Sequence, residues 1–148
     1  MSFQEDVVDL ARTEYSSLLT EHGFKLPVVR EKGYSTRVFF LQKEFAVELE
    51  FEWRDFCVFL SIVRLAKGKL PKGYYLDPAK RTQIPLILLI EERNWQVNKD
   101  LIEEIIKIGH KKRVDLTPED LKTQLLLYHA LLRSCITKVL EGGITLFE

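Results

Sequence analysis

Cysteine is scarce in this sequence: Cys57 and Cys135 are the only two, far apart and without a Cys-x-x-Cys partner. That spacing excludes a local zinc ribbon or a dithiol redox motif. A chain of 148 residues can build a core without a disulfide staple. Both cysteines lie within apolar patterns, so we read them as reduced, buried thiols. Glycine (7) and proline (5) are also sparse, which excludes fibrous and low-complexity organisation. Neither sign of charge dominates: 22 Lys and Arg balance 22 Asp and Glu, leaving no overall field to draw in nucleic acid or an anionic membrane. Long hydrophobic runs are missing as well. The longest, Ile84 to Ile90, falls far below the ~20 residues a membrane-crossing helix needs. The start, Met1-Ser2-Phe3-Gln4-Glu5-Asp6, has neither the basic nor the apolar region of a secretory signal, which points to a cytoplasmic protein.

Catalytic signatures are missing too. There is no Gly-rich phosphate loop, Gly-x-Ser-x-Gly elbow, His-Glu-x-x-His helix or dinucleotide fingerprint. The three histidines, His22, His110 and His129, never fall at the i, i+4 spacing of a local metal site. No cofactor and no metal are expected.

What is present is an ordinary globular composition, 46% hydrophobic and 30% charged, read as one α+β domain over residues 1–148. Residues 3–22 carry Phe3, Val7, Leu10, Ala11, Leu18 and Leu19 at helical spacing, and Gly23 can close that helix in the left-handed conformation. From residue 25 to 65 the period becomes two, with β-branched and aromatic residues alternating: Thr36, Val38, Phe40; Phe45, Val47, Leu49, Phe51, Trp53; Phe56, Val58, Leu60, Ile62. This predicts an antiparallel meander of three strands, or four if residues 26–30 form an edge strand that tolerates Pro27. A two-residue loop at Arg54-Asp55 sets Phe51 opposite Val58, Leu49 opposite Leu60 and Val47 opposite Ile62 on one apolar face. It sets Glu52 opposite Cys57, Glu50 opposite Phe59 and Glu48 opposite Ser61 on the other, wetter face. A loop at Gln42-Lys43 likewise sets Arg37 opposite Glu48, where it screens the acidic row. Residues 84–92 fit a buried helix better than a buried strand. Asn98 caps a short helix bearing Leu101, Ile102, Ile105 and Ile106. Thr117, Pro118, Glu119 and Asp120 start a long helix ending at Glu141, whose stripe Leu121, Leu125, Tyr128, Leu132, Cys135, Ile136, Val139 covers the apolar face of the sheet.

Two features stand out as binding candidates. One is the carboxylate row Glu48, Glu50, Glu52; the other is the long loop 66–83, where Tyr74, Tyr75, Asp77, Lys80 and Arg81 bring aromatics among basic residues. Charge segregated into an acidic sheet and basic loops, with exposed aromatics and no catalytic motif, points to a non-enzymatic protein-binding module of immunity or regulatory type. The expected partner is another protein, not a membrane and not nucleic acid, with a second copy of the chain as an alternative through an uncovered sheet face. Two competing readings remain. One is a small enzyme whose site gathers Asp77, Tyr75, His110 and the glutamate row into one cleft. The other is weak nucleic-acid binding through Arg64, Lys67, Lys69, Lys72, Lys80 and Arg81, joined by Lys107, Lys111, Lys112 and Arg113.

Overall fold

The computed structural model describes residues 2–70 and 81–147. Helix α1 (Phe3–Leu19) begins where the Ser2 hydroxyl accepts from the Glu5 N–H, and it runs into a 3-10 turn at Thr20–His22. Gly23 then turns the chain at φ 85°, a conformation with no Cβ to strain. Val7, Ala11, Tyr15 and Leu19 are the buried stripe of α1. Tyr15 is the member that its helical spacing had not singled out, and its hydroxyl donates to the Leu125 carbonyl at 2.7 Å.

The meander is five-stranded and wholly antiparallel, in the spatial order β1 (Val28–Lys32), β2 (Ser35–Leu41), β3 (Phe45–Glu52), β4 (Cys57–Arg64) and β5 (Gln83–Pro85). The edge strand exists but begins two residues later than expected, because Pro27 precedes it instead of lying within it. A two-residue turn, Gly33-Tyr34, joins β1 to β2, with Gly33 at φ 61° as such a turn demands.

Between β3 and β4 the pairing is the expected one, with Phe51, Leu49 and Val47 opposite Val58, Leu60 and Ile62. The connection is longer than two residues: a 3-10 turn at Trp53–Asp55 followed by Phe56 at φ 46°. It is centred on the same point, so the register is unchanged. Between β2 and β3 the expected register is corrected by two residues. Gln42 faces Phe45, its N–H donating to the Phe45 carbonyl at 2.9 Å, so the turn tightens on Lys43-Glu44 and Arg37 faces Glu50, not Glu48. A shift of two leaves every side chain on its own face, so the core is indifferent to it.

Residues 84–92 are neither all helix nor all strand. Gln83–Pro85 pairs with β4, and helix α2 (Leu86–Arg93) follows, with Pro85 at its N-cap. Helix α3 (Lys99–Gly109) is capped by Asn98, whose side chain accepts from the Asp100 N–H at 3.0 Å. The long helix α4 (Pro118–Gly142) carries the expected stripe, buried throughout, and Leu131 and Gln124 extend it. Packed with α1, α2 and α3, it closes one core over Val38, Phe40, Val47, Leu49, Leu60 and Ile62 on the inner face of the sheet.

The start of α4 is a capping box. The Asp120 N–H donates to the Thr117 hydroxyl at 3.2 Å, and the Thr117 N–H donates to the Asp120 carboxylate at 3.0 Å. Thr117→Ala should therefore lose about 1 kcal/mol in urea denaturation, with Thr117→Ser close to wild type. The hydrogen bond from Lys111, and then those of Thr117, hold the Asp120 carboxyl below the usual carboxylate range. A depressed folded-state pKa stabilises above the unfolded value and is lost as pH falls through the folded one. The Thr117→Ala defect should accordingly shrink on acidification below about pH 4, the ordinary aspartate range.

Candidate functional site

The outer face of the sheet is the side away from α4, and strand register resolves it into rows that run across the strands. One row is Lys32, Ser35, Glu52, Cys57 and the next is Arg30, Arg37, Glu50, Phe59. Beyond them come Val28, Phe39, Glu48, Ser61, Pro85 and then Leu41, Ala46, Val63, Gln83. The face is divided between these two pairs of rows. Phe39, Ala46, Glu48, Ser61 and Val63 are buried, and Ala46, Val63 and Leu65 form a small apolar cluster with Leu41 and Leu70 against it. The first two rows stay open, and Phe59 is 48% exposed at their end.

The three glutamates consequently meet three environments. Glu48 is 1% exposed, which corrects its placement on a wet face, and its carboxylate accepts from the Gln83 side-chain amide. Residues Phe39, Ala46 and Val63 on the same face carry it into the closed half. Glu50 is half-buried, and its Oε2 receives both Nε and Nη2 of Arg37 at 2.8 Å. Such a cross-strand pair contributes roughly 0.2–1 kcal/mol and fixes Arg37 over the middle of the open half. Glu52 lies in the first of these rows, beside the Trp53–Asp55 turn. Burial first, then the charges of Glu50 and Asp55, push its pKa up, with Arg37 opposing. A raised carboxylate pKa means that the charged form costs stability at neutral pH, a cost relieved as pH falls through the folded-state value. We expect Glu52→Gln to be neutral to slightly stabilising at pH 7, within about 0.5 kcal/mol, and to lose that advantage in acid, as thermal melts across pH would show.

Arg81 makes a two-pronged contact with Glu92, at 2.7 and 3.3 Å, and its hydrogen bond lowers the Glu92 pKa. Tyr74, Tyr75, Asp77 and Lys80 lie outside the described residues. The members of the proposed cleft that are described do not meet. His110 follows α3, whose Leu101, Ile102 and Ile105 join the core on the other side of the sheet from the glutamate row. Several basic side chains are likewise engaged by acids: Lys111 with Asp120 at 3.0 Å and Arg113 with Asp55 at 2.6 Å. His129 sits edge-on to Tyr15 with ring centroids 5.1 Å apart, and its ring N–H donates to the Glu14 carbonyl at 3.0 Å.

The thiols are quiet. Cys57, in the open half, has its pKa raised by burial and by the charges of Asp55 and Glu52. Burial takes Cys135 to about 12. Both thiols are free, and a protonated thiol is a poor nucleophile.

Sequence reasoning missed the basic side of this surface. Arg30 and Lys32 on β1 continue the outer rows past Arg37, and Arg30 lies 5.7 Å from the Phe39 ring centroid. At the neighbouring corner the Arg54 guanidinium stacks 3.3 Å over Tyr34, and the Trp53 N–H donates to the Tyr34 carbonyl at 3.2 Å, tying the two turns together. The signal lies in register, not in composition: the first and last residues of the two open rows, Lys32 and Cys57, Arg30 and Phe59, are 25 and 29 positions apart in the chain. The open half thus grades from cations on β1, through a paired Arg–Glu centre, to an aromatic on β4.

Comparison with protein-family models, curated proteins and solved structures finds no match for the chain. Among the described residues, no helix is long and apolar enough to cross a membrane.

Proposed function

We propose that this chain is a non-enzymatic protein-binding module, of immunity or regulatory type, whose contact surface is the open half of the outer sheet face. The observation that carries the reading is the row Arg30, Arg37, Glu50, Phe59. It joins the cation Arg30, a pre-formed ion pair and an exposed aromatic in one strip across four strands. Interfaces concentrate their energy in such aromatic and arginine anchors, and charge gradients orient the partner. A rigid sheet supports this, since the anchors lose little conformational freedom on binding. The reading also takes the protein as cytoplasmic, in keeping with its two free thiols.

The test is recovery of a stoichiometric partner from the native host, followed by hydrogen exchange on the purified complex. Protection confined to β1, β2 and the open ends of β3 and β4 is the expected outcome. Protection confined to the solvent side of α3 and α4 would refute the assignment.

A further inference from the structure

Among the described residues the strand order leaves β1 with a neighbour on one side only, and all five of its residues are exposed. In an antiparallel ladder alternate residues turn their N–H and C=O groups away from the neighbour, so β1 offers an unfilled edge. The two faces of that edge differ in charge. Toward the outer face point Arg30 and Lys32, and Arg30 stands opposite another cation, Arg37, whose own carboxylate partner is Glu50. Toward the inner face point Val29 and Glu31, which line a groove of about 430 Å³ between β1 and α1. Its other charged lining is Glu5, Asp9 and Arg12, so acids outnumber bases there.

A second copy of the chain is a poor occupant of this edge. Two β1 strands related by a two-fold axis oppose residues of the same face. An axis through Arg30 sets it against itself, and one through Glu31 sets Arg30 against Lys32 and Glu31 against itself. One through Val29 sets Arg30 against Val28 and leaves every charge without a complement. Like charges directly opposite are destabilising. The complement is a strand whose charge alternates.

We propose that an extended segment of the partner protein adds to the free edge of β1 as a sixth strand. Its acidic side chains stand at alternate positions toward Arg30 and Lys32, and a basic side chain between them faces Glu31 and the groove. Main-chain hydrogen bonds supply affinity in this mode and the alternating side chains supply specificity. The inference rests on the protein-binding reading above and specifies the element the partner contributes.

The experiment uses the full chain and a synthetic eight-residue peptide. The peptide has Glu at three alternate positions, Lys at the central intervening one, and Val or Thr elsewhere. A control of the same composition mixes the charges on both faces. Calorimetry should show at least tenfold tighter binding of the alternating peptide, and Arg30→Glu with Lys32→Glu should reverse the preference toward a peptide whose three Glu are replaced by Lys and whose central Lys is kept, since Glu31 is unchanged. Methylating backbone nitrogens at alternate positions should abolish binding in one phase and spare it in the other. Equal binding of the mixed control, insensitivity to methylation in both phases, or no binding at millimolar peptide would each overturn the inference. A concentration-dependent dimer dispersed by the double substitution would also overturn it, by making a second copy the occupant. If the native partner still protects the open face while the peptide fails, only the sixth strand is refuted. If protection falls elsewhere, the binding surface itself is wrong.

Discussion

Trp53→Ala should destabilise the fold by about 3–5 kcal/mol, the range for losing a large buried aromatic. Trp53 sits in the turn between β3 and β4, yet it is buried and fastens three elements. Its ring stacks on Phe51 with centroids 5.1 Å apart at an interplanar angle of 5°. Its edge meets Phe3 of α1 at 6.3 Å. Its indole N–H donates to the hydroxyl of buried Thr36 on β2 at 2.9 Å. The substitution removes all three at once and leaves the Thr36 hydroxyl without its donor. Trp53→Phe keeps the stacking and forfeits the hydrogen bond, so its cost should be about 1–3 kcal/mol. Urea denaturation followed by circular dichroism measures both. A loss below about 1 kcal/mol for Trp53→Ala would mean that the turn is not a packing element.

The second large effect tests the division of the outer face. Val63 and Phe59 lie on the same strand and point to the same side, four residues apart, but Val63 is 0% exposed and Phe59 48%. Val63→Lys puts an ammonium among Ala46, Leu65 and Leu41, where burying an unpaired charge costs several kcal/mol. We expect at least about 3 kcal/mol and a visibly lower melting temperature. Phe59→Lys should stay within about 1 kcal/mol of wild type. Similar losses for the two would show that the face is not divided.

Much of this architecture was legible because strands impose a period of two and helices mark their ends chemically. Thr117, Pro118 and Asp120 announce the start of α4, and Val47, Leu49 and Phe51 alternate with Glu48, Glu50 and Glu52 without interruption. The pairing of β3 with β4 was readable because any turn centred on Arg54-Asp55 gives it, whatever its length. The pairing of β2 with β3 was not, since turns one residue apart leave the same faces buried and hydrophobicity cannot choose between them. Strand β5 is hidden at the start of the apolar run from Ile84 to Ile90, whose first two residues join Gln83 in pairing with β4 before α2 begins. Alternation along β3 alone puts Glu48 on the wet side. Its cross-strand neighbours Phe39 and Ser61, with Ala46 two residues before it, show that this part of the outer face is closed. Of the candidate site, the glutamate row was visible in one strand, whereas the cations of β1 that complete the open half depend on register.

The proposed function puts the partner protein on the open half of that face. Its most direct test is the affinity of the recovered partner for two variants, Phe59→Thr in the open half and Leu126→Gln on α4, where Leu126 is 47% exposed. Threonine keeps the strand preference and glutamine the helical one, so neither should disturb folding. We predict a loss of about 30-fold for Phe59→Thr, the size of an anchor residue, and no change for Leu126→Gln. Undiminished affinity with Phe59→Thr, or an equal loss with Leu126→Gln, would contradict it.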